Sequence, residues 1–143
     1  MARIVRSVVG VVGGIAIVVV LILAYEALSA IMFPAPEGTN LADMEQMKAY
    51  IAGLPTIALV LYLVGHGLAT LCGTFVGASI AGRSPIAHAL VIGAWPLIGS
   101  IITMAYIPHP AWFIAPALLT YPAMALLGGA MAWWRQRPSK MRE

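Results

Sequence analysis

Long uncharged stretches organise this chain of 143 residues. Asp, Glu, Lys and Arg are absent from three stretches, residues 7–25, 49–82 and 84–134. A transmembrane helix needs about 20 consecutive apolar residues, so the first two stretches can each hold one helix and the third can hold two. The third stretch is expected to turn at Ile107-Pro108-His109-Pro110, because a proline cannot continue a helix there.

The pattern therefore predicts an all-α membrane protein, a bundle of four transmembrane helices in a single domain that covers residues 1–143. The first helix is expected to end at Phe33-Pro34-Ala35-Pro36. The second, with Pro55 in its first turns, is expected to end at Gly82-Arg83-Ser84-Pro85. The four helices are predicted at about residues 4–33, 50–82, 85–107 and 111–134.

Residues 34–49 form the only polar connection of any length and are predicted to be an outer loop. Thr39 or Asn40 is expected to cap a short helix that runs to Lys48. Apolar side chains recur in this segment at helical spacing, as Leu41, Met44 and Met47. The spacing predicts a helix that lies at the membrane interface, and a partner-docking site is the alternative.

The composition also favours a membrane protein, because 62% of the residues are hydrophobic and only 9% are charged. The mean hydropathy is +0.94. A soluble domain typically carries about 25% charged residues, so the composition excludes that class. The net charge of +3 predicts no nucleic-acid partner, because the basic residues lie at the ends of the apolar stretches. The first predicted partner is therefore the lipid bilayer.

Basic residues are distributed unequally between the two ends of the predicted bundle. One end carries seven of them: Arg3, Arg6, Arg83, Arg135, Arg137, Lys140 and Arg142. Only Lys48 falls at the other end. Because cytoplasmic loops carry the excess of Lys and Arg, both termini are predicted to be cytoplasmic, with residues 135–143 as a basic cytoplasmic tail.

Small residues recur at every fourth position of the second predicted helix, at Gly65, Ala69, Gly73, Gly77 and Ala81. Residues four apart share one side of a helix, so these five form a face with almost no side chain, called here the Gly-rich face. Gly10 and Gly14 have the same spacing in the first helix. In a bilayer such faces let helix backbones approach closely, so the pattern predicts a helix-packing seam, with a conduction or ligand groove as the alternative.

Glu26 is the only acidic residue inside a predicted transmembrane helix. At 1.5 Å per residue it lies about 10 Å from the outer end of that helix. Tyr62 is predicted at a similar depth, and His66 lies one turn deeper. A carboxylate at this depth costs several kcal/mol unless it is protonated, paired or hydrated. The three residues form a candidate intramembrane site for protons or cations, and a structural hydrogen-bonded pair is the alternative.

The remaining polar and aromatic residues predict no further functional site. Trp95, Thr120 and Tyr121 are expected near the midplane as packing residues, with the lining of a ligand cavity as the alternative. His66 and His88 lie at different depths, so they are not expected to bind haem as a pair. The chain has no metal-binding Cys and His spacing and no catalytic motif of a soluble enzyme, so no cofactor, metal or enzymatic activity is predicted.

Two functions follow as predictions. The first is an accessory or scaffold subunit that packs through the Gly-rich face, either against a second copy or within a larger membrane complex. The second is a small homodimeric transporter or channel for protons, cations or a small ligand, which uses Glu26 and His66. The second function also requires a polar path through the bundle or through a dimer interface.

Several segments of the chain resemble those of known proteins. They are residues 50–55 (YIAGLP), 73–85 (GTFVGASIAGRSP) and 107–113 (IPHPAWF), with Glu26-Ala27-Leu28 and Phe33-Pro34-Ala35-Pro36. With these segments the chain resembles small four-helix membrane proteins of bacteria that have no known activity. The resemblance spans most of the chain and implies a location in the bacterial inner membrane. It implies no activity and no site residue.

Overall fold

A computed structural model describes residues 1–137, which form helices joined by short connections. The helices are α1 (Ala2–Met32), α2 (Met44–Ala52), α3 (Thr56–Ala81), α4 (Pro85–Tyr106) and α5 (Ala111–Gln136). All except α2 are long and apolar enough to cross a bilayer. The prediction of an all-helical chain with four such helices is therefore confirmed, and it indicates a multi-pass membrane protein.

The helix predicted over residues 50–82 is shorter than expected, because it begins at Thr56. Residues 50–52 belong to α2, and residues 53–55 separate α2 from α3. A proline inside a helix clashes with the carbonyl four residues earlier and disfavours helical dihedrals in the residue before it. Pro55 is instead the N-cap of α3, with extended dihedrals of φ −67° and ψ 151°.

The helix in the polar loop also begins later than predicted, because Asp43 caps it in place of Thr39 or Asn40. The Asp43 carboxylate accepts hydrogen bonds from the backbone N–H groups of Glu45 and Gln46, each at 3.0 Å. These bonds satisfy two of the donors that the first turn of a helix leaves free. The helix α2 therefore begins at Met44, and it continues past the predicted end at Lys48 to Ala52, just before α3 begins.

The other helix ends lie within two residues of the predictions, and α5 continues to Gln136. The first residues of the predicted basic tail, 135 and 136, are therefore helical. Residues 138–143 of that tail lie outside the described residues.

The four long helices form an up-and-down bundle in which α3 packs against α1, α4 and α5. Leu59 and Phe113 belong to one buried cluster, while Ala78, Ala89 and Ala132 form another. These pairings show that α3 and α5 run parallel to each other and that α4 runs in the opposite direction. We call the end of the bundle that carries α2 and the α4–α5 turn the α2 end. The opposite end, with the N terminus and the α3–α4 turn, is the terminal end.

At the terminal end, the Gly-rich face of α3 lies directly against α1. A Cβ atom at Gly10 would lie 2.6 Å from the carbonyl oxygen of Gly77, and one at Gly14 would lie 2.9 Å from that of Gly73. The same Cβ atom at Gly10 would also lie 2.9 Å from the backbone nitrogen of Ala81. Even a Cβ atom at Gly10 or Gly14 would therefore clash with the backbone of α3, and the two backbones touch there.

Towards the α2 end, the same face of α3 meets side chains instead of backbone. Ala69 is buried, and the position that a Cβ atom of Gly65 would take is filled by the ring of Tyr25. The Tyr25 ring therefore lies between the two helices at this level, next to the polar residues described in the following section.

Candidate functional site

The three residues of the predicted polar site, Glu26, Tyr62 and His66, lie together between α1 and α3. Oε1 of Glu26 is 3.0 Å from Nε2 of His66. The Tyr62 ring stacks on the His66 ring, with 3.8 Å between the centroids and 24° between the planes. His66 is buried, whereas 49% of the Glu26 side-chain surface is exposed. The carboxylate therefore has room for another partner besides the imidazole.

A second oxygen lies on the other side of the His66 ring. The hydroxyl of Tyr121, a buried residue of α5, is 3.2 Å from Nδ1. If Glu26 is ionised, it can only accept, so Nε2–H of a neutral His66 donates to it and the Tyr121 hydroxyl donates to Nδ1. A proton added to His66 makes Nδ1 a donor towards the Tyr121 oxygen. The chain Glu26–His66–Tyr121 can therefore accommodate a proton without losing either hydrogen bond.

Two buried threonines support the turn of α3 that carries His66. The Thr70 hydroxyl donates to the carbonyl oxygen of His66 at 2.8 Å, and the Thr74 hydroxyl donates to that of Thr70 at 2.7 Å. Both residues are fully buried, so bonding to their own helix satisfies hydroxyl groups that would otherwise be costly. The two threonine hydroxyls thus form hydrogen bonds within α3, whereas the His66 side chain forms hydrogen bonds to residues of α1 and α5.

Aromatic rings surround the Glu26–His66 pair on the α2 side. The Tyr25 ring meets those of Tyr62 and His66 edge to face, with centroid distances of 6.3 and 5.6 Å. Phe113 meets Tyr62 in the same manner at 5.7 Å. Such edge-to-face contacts are a preferred geometry of aromatic pairs, so the rings hold one another in place around the imidazole.

A cavity of about 420 Å³ at the α2 end opens onto this cluster, and we call it the α2-end cavity. Its polar and aromatic lining includes Tyr25, Glu26, Ser29, Tyr50, Tyr62, His66, Thr103, His109 and Phe113. Among residues 1–137, no Lys or Arg belongs to its lining, and Glu26 is its only acidic residue. The nearby Lys48 is paired with Glu45 on α2 at 2.9 Å. The cavity is therefore a mostly apolar space with one acidic group in its wall.

The α2 helix contributes one wall of this cavity without packing backbone to backbone on the long helices. Met47, Tyr50 and Ile51 are the α2 residues that line it. The hydroxyl of Tyr50 donates a hydrogen bond to the carbonyl oxygen of Phe33, just after the end of α1. Side chains and one hydrogen bond thus hold α2 across the mouth of the cavity.

A second cavity of about 260 Å³ lies further from the α2 end, at the side of the bundle between α1 and α4, and we call it the deep cavity. Aliphatic residues of α1 line one side, and Trp95 and Pro96 of α4 line the other. Tyr62, His66 and Thr103 line both cavities. His66 therefore lies where the α2-end cavity, with its acidic group, meets an apolar space near the middle of the bundle.

Two residues of the cluster, Tyr121 and Tyr25, were not predicted as site residues. Tyr121 is expected to be a packing residue, with the lining of a ligand cavity as the alternative, and it lies in the wall of the deep cavity. Its pairing with His66 depends on how α5 is positioned against α3. Tyr25 directly precedes Glu26 in the sequence, and this adjacency is the one signal that could have identified Tyr25 as a site residue. His88, in contrast, lies at the terminal end, where its ring is 3.1 Å from the Ser84 carbonyl oxygen.

Comparisons with protein-family models, with curated proteins and with solved structures found no match for this chain. No family is therefore assigned, and the interpretation of the site depends on its own chemistry. Within residues 1–137, no three His, Cys, Asp or Glu side chains come together as metal ligands.

Proposed function

We propose that this protein is a small membrane transporter or channel that moves protons or other monovalent cations through the Glu26–His66 pair. The observation that carries the proposal is the 3.0 Å contact between a half-exposed carboxylate and a buried imidazole at the wall of the α2-end cavity. Ionisable residues inside transmembrane helices are costly, and they commonly mark ion pathways and proton relays.

The geometry on both sides of His66 supports this function. A cation or proton entering from the α2 end meets Glu26 first, then His66, and then the hydroxyl of Tyr121 at the deep cavity. Each step between neighbouring groups is a hydrogen bond of 3.0 to 3.2 Å. Towards the terminal end the backbones of α1 and α3 touch, so a path between these two helices needs a rearrangement to open there.

The scaffold function predicted from the Gly-rich face has less support from the geometry. That function needs the face to be available to a partner, whereas α1 of the same chain covers it. A homo-oligomer remains part of our proposal for a different reason. Four helices have few ways to enclose a path across a bilayer, so a second copy that packs beside the deep cavity would complete it.

The proposal also includes a location and an orientation. We place the protein in the bacterial inner membrane, as the resemblance to small bacterial membrane proteins implies, with both termini in the cytoplasm. Arg3, Arg6, Arg83, Arg135 and Arg137 all belong to the terminal end, in support of this orientation. The α2 end, with its cavity, then faces the periplasm.

Proton flux into liposomes tests the function. Purified protein is reconstituted in vesicles that hold a pH-sensitive dye, and a potassium gradient with valinomycin sets the membrane potential. We expect wild-type vesicles to take up protons faster than protein-free vesicles. Glu26→Gln and His66→Ala should fall to the protein-free rate, because each removes one member of the pair.

Glu37→Gln is the matched control, since it removes the same charge from an exposed residue that does not line the cavity. It should retain the wild-type rate. Thermal unfolding in detergent, measured for every variant, separates a lost pathway from a lost fold. Wild-type flux at the protein-free rate, or flux that is unchanged in both folded variants, would contradict the proposal.

A further inference from the structure

We propose that the α2-end cavity binds a monovalent organic cation, a quaternary ammonium or phosphonium ion with apolar substituents, which sits against the Glu26 carboxylate. This inference rests on the proposed function and names the class of substrate that the same site takes. Four features of the cavity lead to it: its charge, the free surface of its acid, the nature of its walls and the space beyond His66.

The charge of the wall selects a cation. In the described part of the chain, Glu26 is the one acidic residue that lines the cavity, and no Lys or Arg lines it. Inside a low-dielectric bundle, a carboxylate that faces no Lys or Arg side chain stabilises a positive ligand far more than it would in water. An anion would meet the same carboxylate as a like charge, so it is disfavoured.

The carboxylate is also free to bind. His66 occupies Oε1 of Glu26, but about half of the Glu26 side chain remains exposed. A ligand can therefore approach the acid without displacing the histidine. The imidazole then acts as a positioning group, because its hydrogen bond fixes the carboxylate at the cavity wall.

The walls indicate an organic cation in preference to a metal ion. A metal ion is held by several oxygen or nitrogen ligands, whereas the acid here shares the cavity wall with the rings of Tyr25, Tyr50, Tyr62 and Phe113. Aromatic rings attract cations through their quadrupoles, and aromatic walls are a common way to bind quaternary ammonium groups. The combination of one carboxylate with several rings thus favours a weakly hydrated, rounded cation.

The space available agrees with such a ligand. The α2-end cavity, at about 420 Å³, lies within the range of about 300–1,000 Å³ typical of small-molecule sites. The apolar deep cavity adjoins it at Tyr62 and His66, so apolar substituents have room beyond the charge. We therefore expect affinity to rise with the apolar size of the cation, from tetramethylammonium to tetraphenylphosphonium.

Titration calorimetry in detergent tests the inference, with tetraphenylphosphonium as the probe. We expect saturable binding to the wild type and binding at least about tenfold weaker to Glu26→Gln, with no change in Glu37→Gln. Tyr25→Leu, which removes a ring from the wall, should weaken binding by roughly 2- to 30-fold, the range of a cation–π contact. Tyr25→Phe keeps the ring and should bind like the wild type.

Tetraphenylborate, which has the same shape and the opposite charge, is the control for apolar binding. In a separate titration, an affinity for tetraphenylborate equal to that for tetraphenylphosphonium would overturn the inference, because the site would then recognise shape and not charge. Equal affinities in the wild type and in folded Glu26→Gln would overturn it as well.

The proposed function and this inference can fail separately. Glu26-dependent proton flux without phosphonium binding would leave the transport function in place and remove the organic cation. Phosphonium binding that depends on Glu26, in a protein without ion flux, would keep the binding site and remove transport. Failure of both measurements would refute both proposals.

Discussion

At the scale of single residues, the burial of His66 makes its partners energetically important. An imidazole in the apolar interior costs free energy unless both of its nitrogens find partners, and here Glu26 and Tyr121 supply them. The two partners differ in kind. Glu26 is half-exposed and can bind a ligand while it keeps its hydrogen bond to His66, whereas Tyr121 is buried.

Removal of the Tyr121 hydroxyl should therefore destabilise the fold. We expect Tyr121→Phe to lower the free energy of unfolding by about 1–3 kcal/mol, because Nδ1 of His66 is left buried without a partner. Unfolding by SDS in mixed micelles measures the change. Tyr106→Phe is the control, since Tyr106 is 66% exposed and should tolerate the same loss. Equal stabilities of the two variants would show that the Tyr121 contact contributes nothing.

At the scale of elements, the contact of α1 with α3 depends on which glycine faces the partner helix. A Cβ atom at Gly14 would lie 2.6 Å from the Ile92 side chain and 2.9 Å from the Gly73 carbonyl oxygen, whereas one at the adjacent Gly13 would meet nothing within 4 Å. We expect Gly14→Ala to destabilise the protein by about 1–3 kcal/mol through overpacking. Gly13→Ala should be neutral or stabilising by up to about 1 kcal/mol, from helix propensity alone. The same SDS titration compares them, and an equal loss in both would refute the backbone contact.

The elements also show how far the sequence could be used to predict this molecule. The uncharged stretches and the four-residue spacing of small residues are local signals, and they are sufficient to predict four long helices and a face on α3 suited to close packing. The break at residues 53–55 was not predicted, because Pro55 was placed in the first turns of a helix that begins at residue 50. A proline is well tolerated only at the very start of a helix, and α3 begins directly after Pro55. Which helix covers the face of α3 could not be predicted, since that depends on contacts distant in sequence.

The same reasoning explains the site. Glu26 could be identified because an acid stands out in an apolar stretch, and Tyr62 and His66 because they lie four residues apart at a matching depth. Tyr121 could not be identified, because its contact with His66 is set by the rotation of α5 against α3. Pro116 and Pro122 lie inside α5, and prolines alter the direction of a helix in ways that spacing alone does not predict.

At the scale of the whole molecule, the two ends have opposite chemical character. The terminal end carries most of the basic side chains and the closest helix contacts, whereas the α2 end carries Glu37, Asp43 and Glu45 and the opening of the cavity. The cavity can take a substrate from the periplasm only if the α2 end faces it. The orientation of the bundle is therefore a condition of the proposed function.

Cysteine labelling in cells tests this orientation. In a Cys72→Ser background, which removes the only native thiol, a cysteine is placed either at Glu37 in the polar loop or at Ala2 next to the N terminus. Both positions are exposed, so differences in labelling report the side of the membrane and not burial. Because the basic terminal end should be retained in the cytoplasm, we expect a membrane-impermeant maleimide to label Glu37→Cys in intact cells and Ala2→Cys only after permeabilisation. The reverse pattern would place the α2-end cavity on the cytoplasmic side. Transport that begins at Glu26 would then run from the cytoplasm to the periplasm.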